Sequence, residues 1–352
     1  MGTSLTVPGA NALDYQSNPF FTQWHNDYNT RTFQYAIQDQ WDVTDALSIT
    51  AGFKGQSVRL RASAINPVPG PLALGRIKAE DFFLPQVGIL YKLGGGTEVF
   101  ASFSQNQRAF TAAATSGPFA TSAAGFAALR DRIRPEKTDT YEGGVRFGQG
   151  SLTGVVAAYL VNFSNRLLAI PQGVGILGNA PLLSNVGDVR SIGLEVGLQW
   201  RPVPEFTITG SYALNSNTYR DDVVNQAGVV VQAIAGRTVV DSPRHIANLE
   251  LAYDKDGFYG RVNTNLMGRR FFTFSNDRSV EGRALVDAKI GYRITSDNRW
   301  LNNLALEAAV VNAFDRRYVA TIGSNGFGFA GDNQTLLPGS PRQFFVTLRK
   351  DY

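Results

Sequence analysis

The last twelve residues, Pro341-Arg342-Gln343-Phe344-Phe345-Val346-Thr347-Leu348-Arg349-Lys350-Asp351-Tyr352, constrain this chain more than any other stretch. At a period of two, Phe344, Val346, Leu348, Lys350 and Tyr352 fall on one side, and Gln343, Phe345, Thr347, Arg349 and Asp351 on the other. The first row is apolar up to an aromatic terminus, with a lysine long enough to snorkel near its end; the second is mostly polar and charged. A strand of a soluble sandwich also alternates, but it rarely ends the chain on a bare aromatic with charges inside its polar row. A closed barrel in a membrane needs this layout: apolar residues toward lipid, polar ones toward a wet bore, aromatics at the interface.

The alternation recurs. Phe33, Tyr35, Ile37 and Trp41 stand against Gln34, Ala36, Gln38 and Gln40, with Asp39 an exception in the apolar row. The clearest case sets Ile192, Leu194, Val196, Leu198 and Trp200 against Gly193, Glu195, Gly197 and Gln199. Tight turns at 42–45, 94–96, 148–150, 201–204, 254–257 and 296–298 alternate with long loops at 62–79, 108–137, 171–187, 218–242, 270–282 and 316–339. Up-and-down membrane barrels alternate in this way, because their periplasmic turns are short and their extracellular loops long. Charges fall on the polar row of strand after strand: Glu142, Arg146, Glu195, Glu250, Arg261, Asp287, Lys289, Arg293, Glu307 and Arg349. A dry core penalises such burial, whereas a watery or plugged lumen does not. The expected fold is all-β, an antiparallel up-and-down transmembrane β-barrel of about 13 strands over 31–352, preceded by an irregular loop at 1–30. The alternative is a soluble or surface β-rich binding protein whose polar face meets bulk water.

The totals agree with a barrel. Hydrophobic residues make up 43% of the 352 and mean hydropathy is −0.12, because strand-by-strand alternation averages out. No apolar run approaches the roughly 20 residues of a spanning helix, which excludes a helical membrane protein. There are no cysteines, and the net charge of +4 is dispersed without a basic run of the kind nucleic-acid binding uses. The N-terminal stretch Met1 to Pro8 has neither the basic nor the apolar region of a signal peptide. Thirteen strands are odd, while single-chain bacterial barrels have even counts. The expectation is that strands are missing before residue 1.

Four motifs now align with a known family. Arg134-Pro135-Glu136-Lys137-Thr138-Asp139-Thr140-Tyr141-Glu142-Gly143-Gly144-Val145 resembles the "PE…yEiG" strand of the TonB-dependent outer-membrane receptors. Asn185-Val186-Gly187-Asp188, followed by Ser191-Ile192-Gly193-Leu194-Glu195, resembles their "N-x-G…GxE" strand. Val311-Asn312-Ala313-Phe314-Asp315-Arg316-Arg317-Tyr318 is similar to "vxNlfDkxY". Pro338-Gly339-Ser340-Pro341-Arg342 with the terminal strand is similar to the "PGxPR" ending, Tyr352 standing where phenylalanine is usual. The resemblance is to the C-terminal part of the barrel domain. It implies a barrel of about 22 strands around a plug, which at about 27 residues per strand needs roughly 600 residues.

The resemblance implies TonB-energised uptake of a scarce nutrient such as a ferric siderophore, across the outer membrane of a Gram-negative bacterium. It implies contact with outer-membrane lipid and lipopolysaccharide, with the barrel assembly machinery through the C-terminal strand, and with the TonB complex through an N-terminal region absent here. No cofactor, metal or nucleic acid is expected. A passive porin-like channel is the alternative that an absent plug permits. Ligand contacts are expected in the long loops, with Arg269, Arg270, Phe271, Phe272 and Phe274 as candidates, cations beside aromatics that suit an anionic or aromatic ligand. The competing reading of that run is an interfacial girdle meeting lipopolysaccharide phosphates.

Three other groups read as structural. His25 and His245, the only histidines, lack the clustered partners of a metal site. Glu142 and Glu195 have the residue type of a glycosidase pair, but charges recur on the polar face of nearly every strand. Asn312, Asp315 and Tyr318 read as turn residues. Nothing in the chain marks an enzyme.

Overall fold

The computed structural model describes residues 25–66, 73–110, 119, 123, 126–127, 130–131, 133–170, 182–185, 187–224, 229–298, 300–323, 327–332 and 334–350. The first strands in chain order are β1 (His25–Asp42), β2 (Leu47–Asn66), β3 (Gly75–Gly94), β4 (Thr97–Arg108), β5 (Glu136–Gln149), β6 (Leu152–Ser164) and β7 (Leu167–Ile170). Next come β8 (Leu182–Asn185), β9 (Val189–Val203), β10 (Phe206–Tyr219), β11 (Val223–Val224), β12 (Val230–Gln232), β13 (His245–Lys255) and β14 (Phe258–Met267). The last are β15 (Arg270–Phe271), β16 (Ser279–Val280), β17 (Arg283–Ile294), β18 (Leu304–Val311), β19 (Val319–Ile322), β20 (Leu336–Pro338) and β21 (Gln343–Lys350).

Thirteen of them form one antiparallel sheet, ordered β1-β2-β3-β4-β5-β6-β9-β10-β13-β14-β17-β18-β21. This is the expected number, and each wall strand pairs with the next wall strand in sequence. The sheet does not close: β1 and β21 are its two edges. The remaining strands form four hairpins inside long loops, β7 with β8, β11 with β12, β15 with β16 and β19 with β20.

The register shows why these residues make a wall. Phe344 opposes Val310, Val310 opposes Ala288, and Ala288 opposes Val262; Leu251, Ile208 and Trp200 continue the row. Directly opposed residues share a face, so one side is a continuous apolar field. No described residue covers it: Ile290 is 64% exposed and Val346 77%. Aromatic pairs lie near both ends of the field, Phe206 with Tyr253 and Phe258 with Tyr292 near the tight turns, Phe103 with Tyr141 nearer the long loops. Leu194 and Ile208 are half-buried and Glu195 and Arg293 exposed, as in a sheet one residue thick with no dry core behind it. Asp39 stays in the apolar row, opposite Ala51. Lys350 reaches toward the tight-turn rim and donates to the Asn302 carbonyl there, a snorkel that keeps its charge out of hydrocarbon.

Burial is concentrated at the long-loop end. One cluster packs Val58, Leu60, Ala62, Ile77 and Ala79 against Phe110, Phe119, Phe126 and Ile133 of the 109–135 loop. A second joins Val189, Tyr219, Val223, Ile234, Val239, Val240 and Phe274; a third joins Phe272, Val280 and Ile322.

Several expected boundaries move. Strand β1 starts at His25, so residues 25–30 belong to the sheet and not to a loop. Strands β2 and β3 run to Asn66 and from Gly75, which shortens the loop expected at 62–79 to 67–74. Both reach well past the roughly 10 residues that cross a bilayer, and the first loop cluster supports the excess. Strand β6 ends at Ser164, where Asn165 turns the chain at a φ of 58° into β7. The segments 1–24 and 171–181 and the terminal Asp351 and Tyr352 lie outside the described residues.

Candidate functional site

The polar face carries the charge ladder. Register places all ten expected charges on the side opposite the aromatic one: Glu250 opposes Asn263 and Asn263 opposes Asp287, while Arg261 opposes Lys289. Ion pairs join Arg146 to Glu98 at 3.4 Å, Arg261 to Glu250 at 3.4 Å and Lys289 to Glu307 at 3.0 Å. Arg293 binds Asp254 and lies 4.8 Å over the Tyr259 ring. Exposed pairs of this kind contribute at most about 1 kcal/mol each, so their work is to keep the face wet and charged rather than to hold the sheet together. Arg349 opposes Ala305 on the same face. Asp287 accepts the backbone N–H of Asn312 at 2.8 Å. Glu142 and Glu195 have no ion-pair partner among the described residues. They oppose Tyr159 and Ala157 from the two sides of β6, two strand spacings apart, roughly 10 Å, and offset by about 7 Å along the strands.

Tyrosine rings lie over glycines on this face: Tyr159 covers Gly193, and Tyr259 covers Gly291. A Cβ at either glycine would meet the ring at 2.3 Å. The Gly193-Leu194-Glu195 motif is therefore a packing device that admits the neighbouring ring.

The run Arg269 to Phe274 is placed differently from expectation. Phe272 and Phe274 are 5% and 1% exposed, inside the third and second loop clusters respectively. Arg270 is buried as well, with Nη1 donating to Asp241 Oδ1 at 2.9 Å and Nη2 to the Val319 carbonyl at 3.0 Å. Only Arg269, exposed and 5.4 Å over the Phe271 ring, and the half-buried Phe271 remain at the surface. The cations beside aromatics that suggested a presented patch belong to a hairpin closing on its own core, with Arg270, Phe272, Thr273 and Phe274 buried. Beside it Asp277 accepts from Ser275 Oγ at 2.6 Å, and its carboxyl falls to about 2 through the hydroxyls of Ser275 and Thr273.

Two of the sequence motifs form one latch between β18 and β21. Asn312, 2% exposed at a φ of 50°, donates from Nδ2 to the carbonyls of Arg316 and Ser340 and accepts the Arg316 N–H. Asp315 accepts the Arg342 N–H at 2.9 Å. The Tyr318 ring occupies the place of a side chain at Gly339. The residues read as turn residues do structural work, and each partners the other motif. His245 lies beside Tyr212, its Nδ1 2.8 Å from the hydroxyl, at the upper end of the apolar face.

One feature of β2 escaped the sequence reading, although its signal was present. The faces exchange polarity at Gln56. Below it Ile49, Ala51 and Phe53 make the apolar row; above it Val58, Leu60 and Ala62 do, and Arg59 and Arg61 take the outer positions. Strand β2 stays in register with β1 throughout this stretch, so the change is one of environment and not of direction.

A sheet with an uncovered apolar side, an ionic side and packed loops at one rim defines an outer-membrane β-barrel wall. The chain belongs to the TonB-dependent receptor family: the family model "TonB dependent receptor-like, beta-barrel" matches residues 3–313. Curated relatives include the ferric-pyoverdine M114 receptor PbuA of Pseudomonas sp. strain M114, 29% identical over 48% of this chain and 19% of that protein. The catecholate siderophore receptor Fiu of Escherichia coli K12 is 24% identical over 76% of this chain and 32% of its own length. Among solved structures, the siderophore receptor PiuA of Acinetobacter baumannii superposes with a TM-score of 0.72 at 15% identity, over 92% of this chain and 43% of that one. The chain thus spans less than half the length of these relatives. Members of the family are outer-membrane transporters and not enzymes.

Proposed function

We propose that this chain is the C-terminal portion of the barrel of a receptor for TonB-energised uptake of a scarce nutrient, a ferric siderophore being the reading its relatives favour. The observation that carries this is the family match over residues 3–313. The geometry agrees with it: the ion-paired polar face suits a lumen lined for a plug, and the loops at one rim carry packed cores that can hold a recognition surface in place. In this reading the chain from His25 onward supplies wall and loops, and the plug and the TonB contact lie outside that stretch. Arg269 and Phe271 remain ligand-contact candidates, whereas Arg270, Phe272 and Phe274 hold the loop that presents them. Strand β21, with its exposed Phe344, Val346 and Leu348 row, is the surface for the barrel assembly machinery.

The test is deletion of the gene in its host, followed by uptake assays with a panel of iron-55-labelled ferric siderophores under iron limitation. Loss of one ligand's uptake, restored by complementation and abolished when the proton-motive force is dissipated, supports the proposal. Unchanged uptake across the panel overturns it, and uptake that survives dissipation points to a passive channel.

A further inference from the structure

We infer that the segments joining β10 to β13, β14 to β17 and β18 to β21 form one cap, clamped together by the β15–β16 hairpin, and that this cap opens over the bore as a unit. Strands of two residues cannot hold a hairpin together in water, so the order of β15 and β16 comes from what they bind. Toward the first segment, Arg270 bonds Asp241 at 2.9 Å, the Asp241 N–H donates to the Phe271 carbonyl at 2.8 Å, and Asn276 Oδ1 accepts the Thr238 N–H at 2.7 Å. Toward the third, the N–H groups of Phe274 and Ser275 donate to the carbonyls of Gly328 and Phe329 at 3.1 and 2.9 Å. The Gly331 N–H donates to Asp277 at 3.2 Å, and Arg278 pairs with Asp332 at 3.1 Å. Arg270 also donates to the Val319 carbonyl at 3.0 Å, so one buried guanidinium ties all three segments. The apolar contacts repeat the pattern: Phe274 shares a core with Tyr219 and Val240, Phe272 shares one with Ile322, and Phe327 packs against both. A buried charge stripped of its partner is strongly destabilising. Lifting one segment alone would strand Arg270 or split a core, whereas a joint release keeps the Arg270 bonds and the third cluster intact.

Register places the cap on the bore side. Phe163 opposes Val189 and Val189 opposes Tyr219. Val189 and Glu195 lie an even number of positions apart on β9, hence on the same, charged face. Phe274 shares its core with Val189 and Tyr219, and Phe163 packs at its margin. The hairpin, rooted between β14 and β17, therefore reaches back along the inner rim past β13 and β10 to β9. That is three strand spacings, about 14 Å. The 109–135 loop, folded onto β2 and β3, is a second body: no described residue of its core belongs to the other two clusters.

The cap is a property of the loops and of no particular ligand, so it can fail while the transport reading stands, and the reverse. The test is hydrogen exchange of the protein purified from outer membranes and reconstituted in lipid, in three variants that each strike one segment: Asp241→Asn, Arg270→Gln and Ile322→Ala. Asparagine tolerates the φ of 53° at position 241. The reporters are the N–H groups of Val239, Phe272 and Gly323, bonded to the carbonyls of Asn217, Arg278 and Thr335, one in each segment. Arg130, bonded to Phe126, reports on the second body. Arg270→Gln should speed all three cap reporters by one common factor, on the order of 100-fold. Each of the other variants should do the same by a common factor of its own, with Arg130 unchanged. Acceleration confined to the substituted segment overturns the inference, and so does equal acceleration at Arg130. If a variant fails to assemble, the wild-type protein decides: in urea below the unfolding of the wall, the three cap reporters should converge on one opening equilibrium, and three separate equilibria overturn the inference.

Discussion

Replacing Phe274 with alanine separates the two roles that its sequence context suggests. The ring is 1% exposed, packs with Tyr219 at 6.2 Å and Phe327 at 6.5 Å, and shares a cluster with Ile234 and Val240. Truncating a fully buried phenylalanine costs about 3–5 kcal/mol. The cluster lies in the loops, apart from the one-layer wall, so the loss should appear as local opening and not as global unfolding. At about 1.4 kcal/mol per tenfold, amides closed by this packing should exchange roughly two to three and a half powers of ten faster. The reporters are Tyr219, bonded to Arg237, Val239, bonded to Asn217, and Phe274 itself, bonded to Gly328. Hydrogen exchange with mass spectrometric readout of the lipid-reconstituted protein measures them. Peptides from the paired stretch where Ile208 opposes Leu251 should exchange as before. Acceleration below tenfold, or equal acceleration in the wall, would refute the assignment of Phe274 to a separate loop core. A change in ligand affinity with unchanged loop exchange would restore it as a contact residue.

Three further perturbations test other parts of the structure. Ile290→Arg puts a charge at mid-wall on the apolar face and should cost about 2–4 kcal/mol in urea unfolding from vesicles, while Lys289→Arg next to it should stay within about 0.5 kcal/mol; equal costs would contradict the facing. Asn312→Ala removes three hydrogen bonds of the β18–β21 latch and leaves a non-glycine residue at positive φ, a loss of about 2–4 kcal/mol to be read as a lower temperature of heat-modifiable gel migration; no shift would mean that the latch is idle. The Glu80 carboxyl, held down to about 2 by Lys78, Ser57 and Arg59, has its folded value below its ordinary 4.5. Its contribution is therefore complete above pH 4.5 and is lost as pH falls toward 2, so proteolytic protection of the β2–β3 extension should drop across that window and Glu80→Gln should flatten the drop.

The wall was legible in the sequence because a strand's period of two meets two unlike solvents there. In such a setting each side chain declares its face without help from the rest of the fold. The rows through Phe344, Ile290 and Ile192, the ten charges opposite them, the count of thirteen and the alternation of turns and loops all follow from that. The latch was half legible: Asn312, Asp315 and Tyr318 had the chemistry of turn residues, but nothing local said that they close on Gly339, Ser340 and Arg342. The loops were not legible. Cations beside aromatics in Arg269 to Phe274 describe a presented patch and a hairpin packed on its own core equally well, and only contacts distant in sequence, with Asp241, Val319 and Tyr219, choose between them. The polarity exchange at Gln56 stood in the sequence of β2, but its meaning required the loop that covers Leu60 from within. Where lipid and water set the environment, local pattern was enough; where other parts of the chain set it, only the folded arrangement could decide.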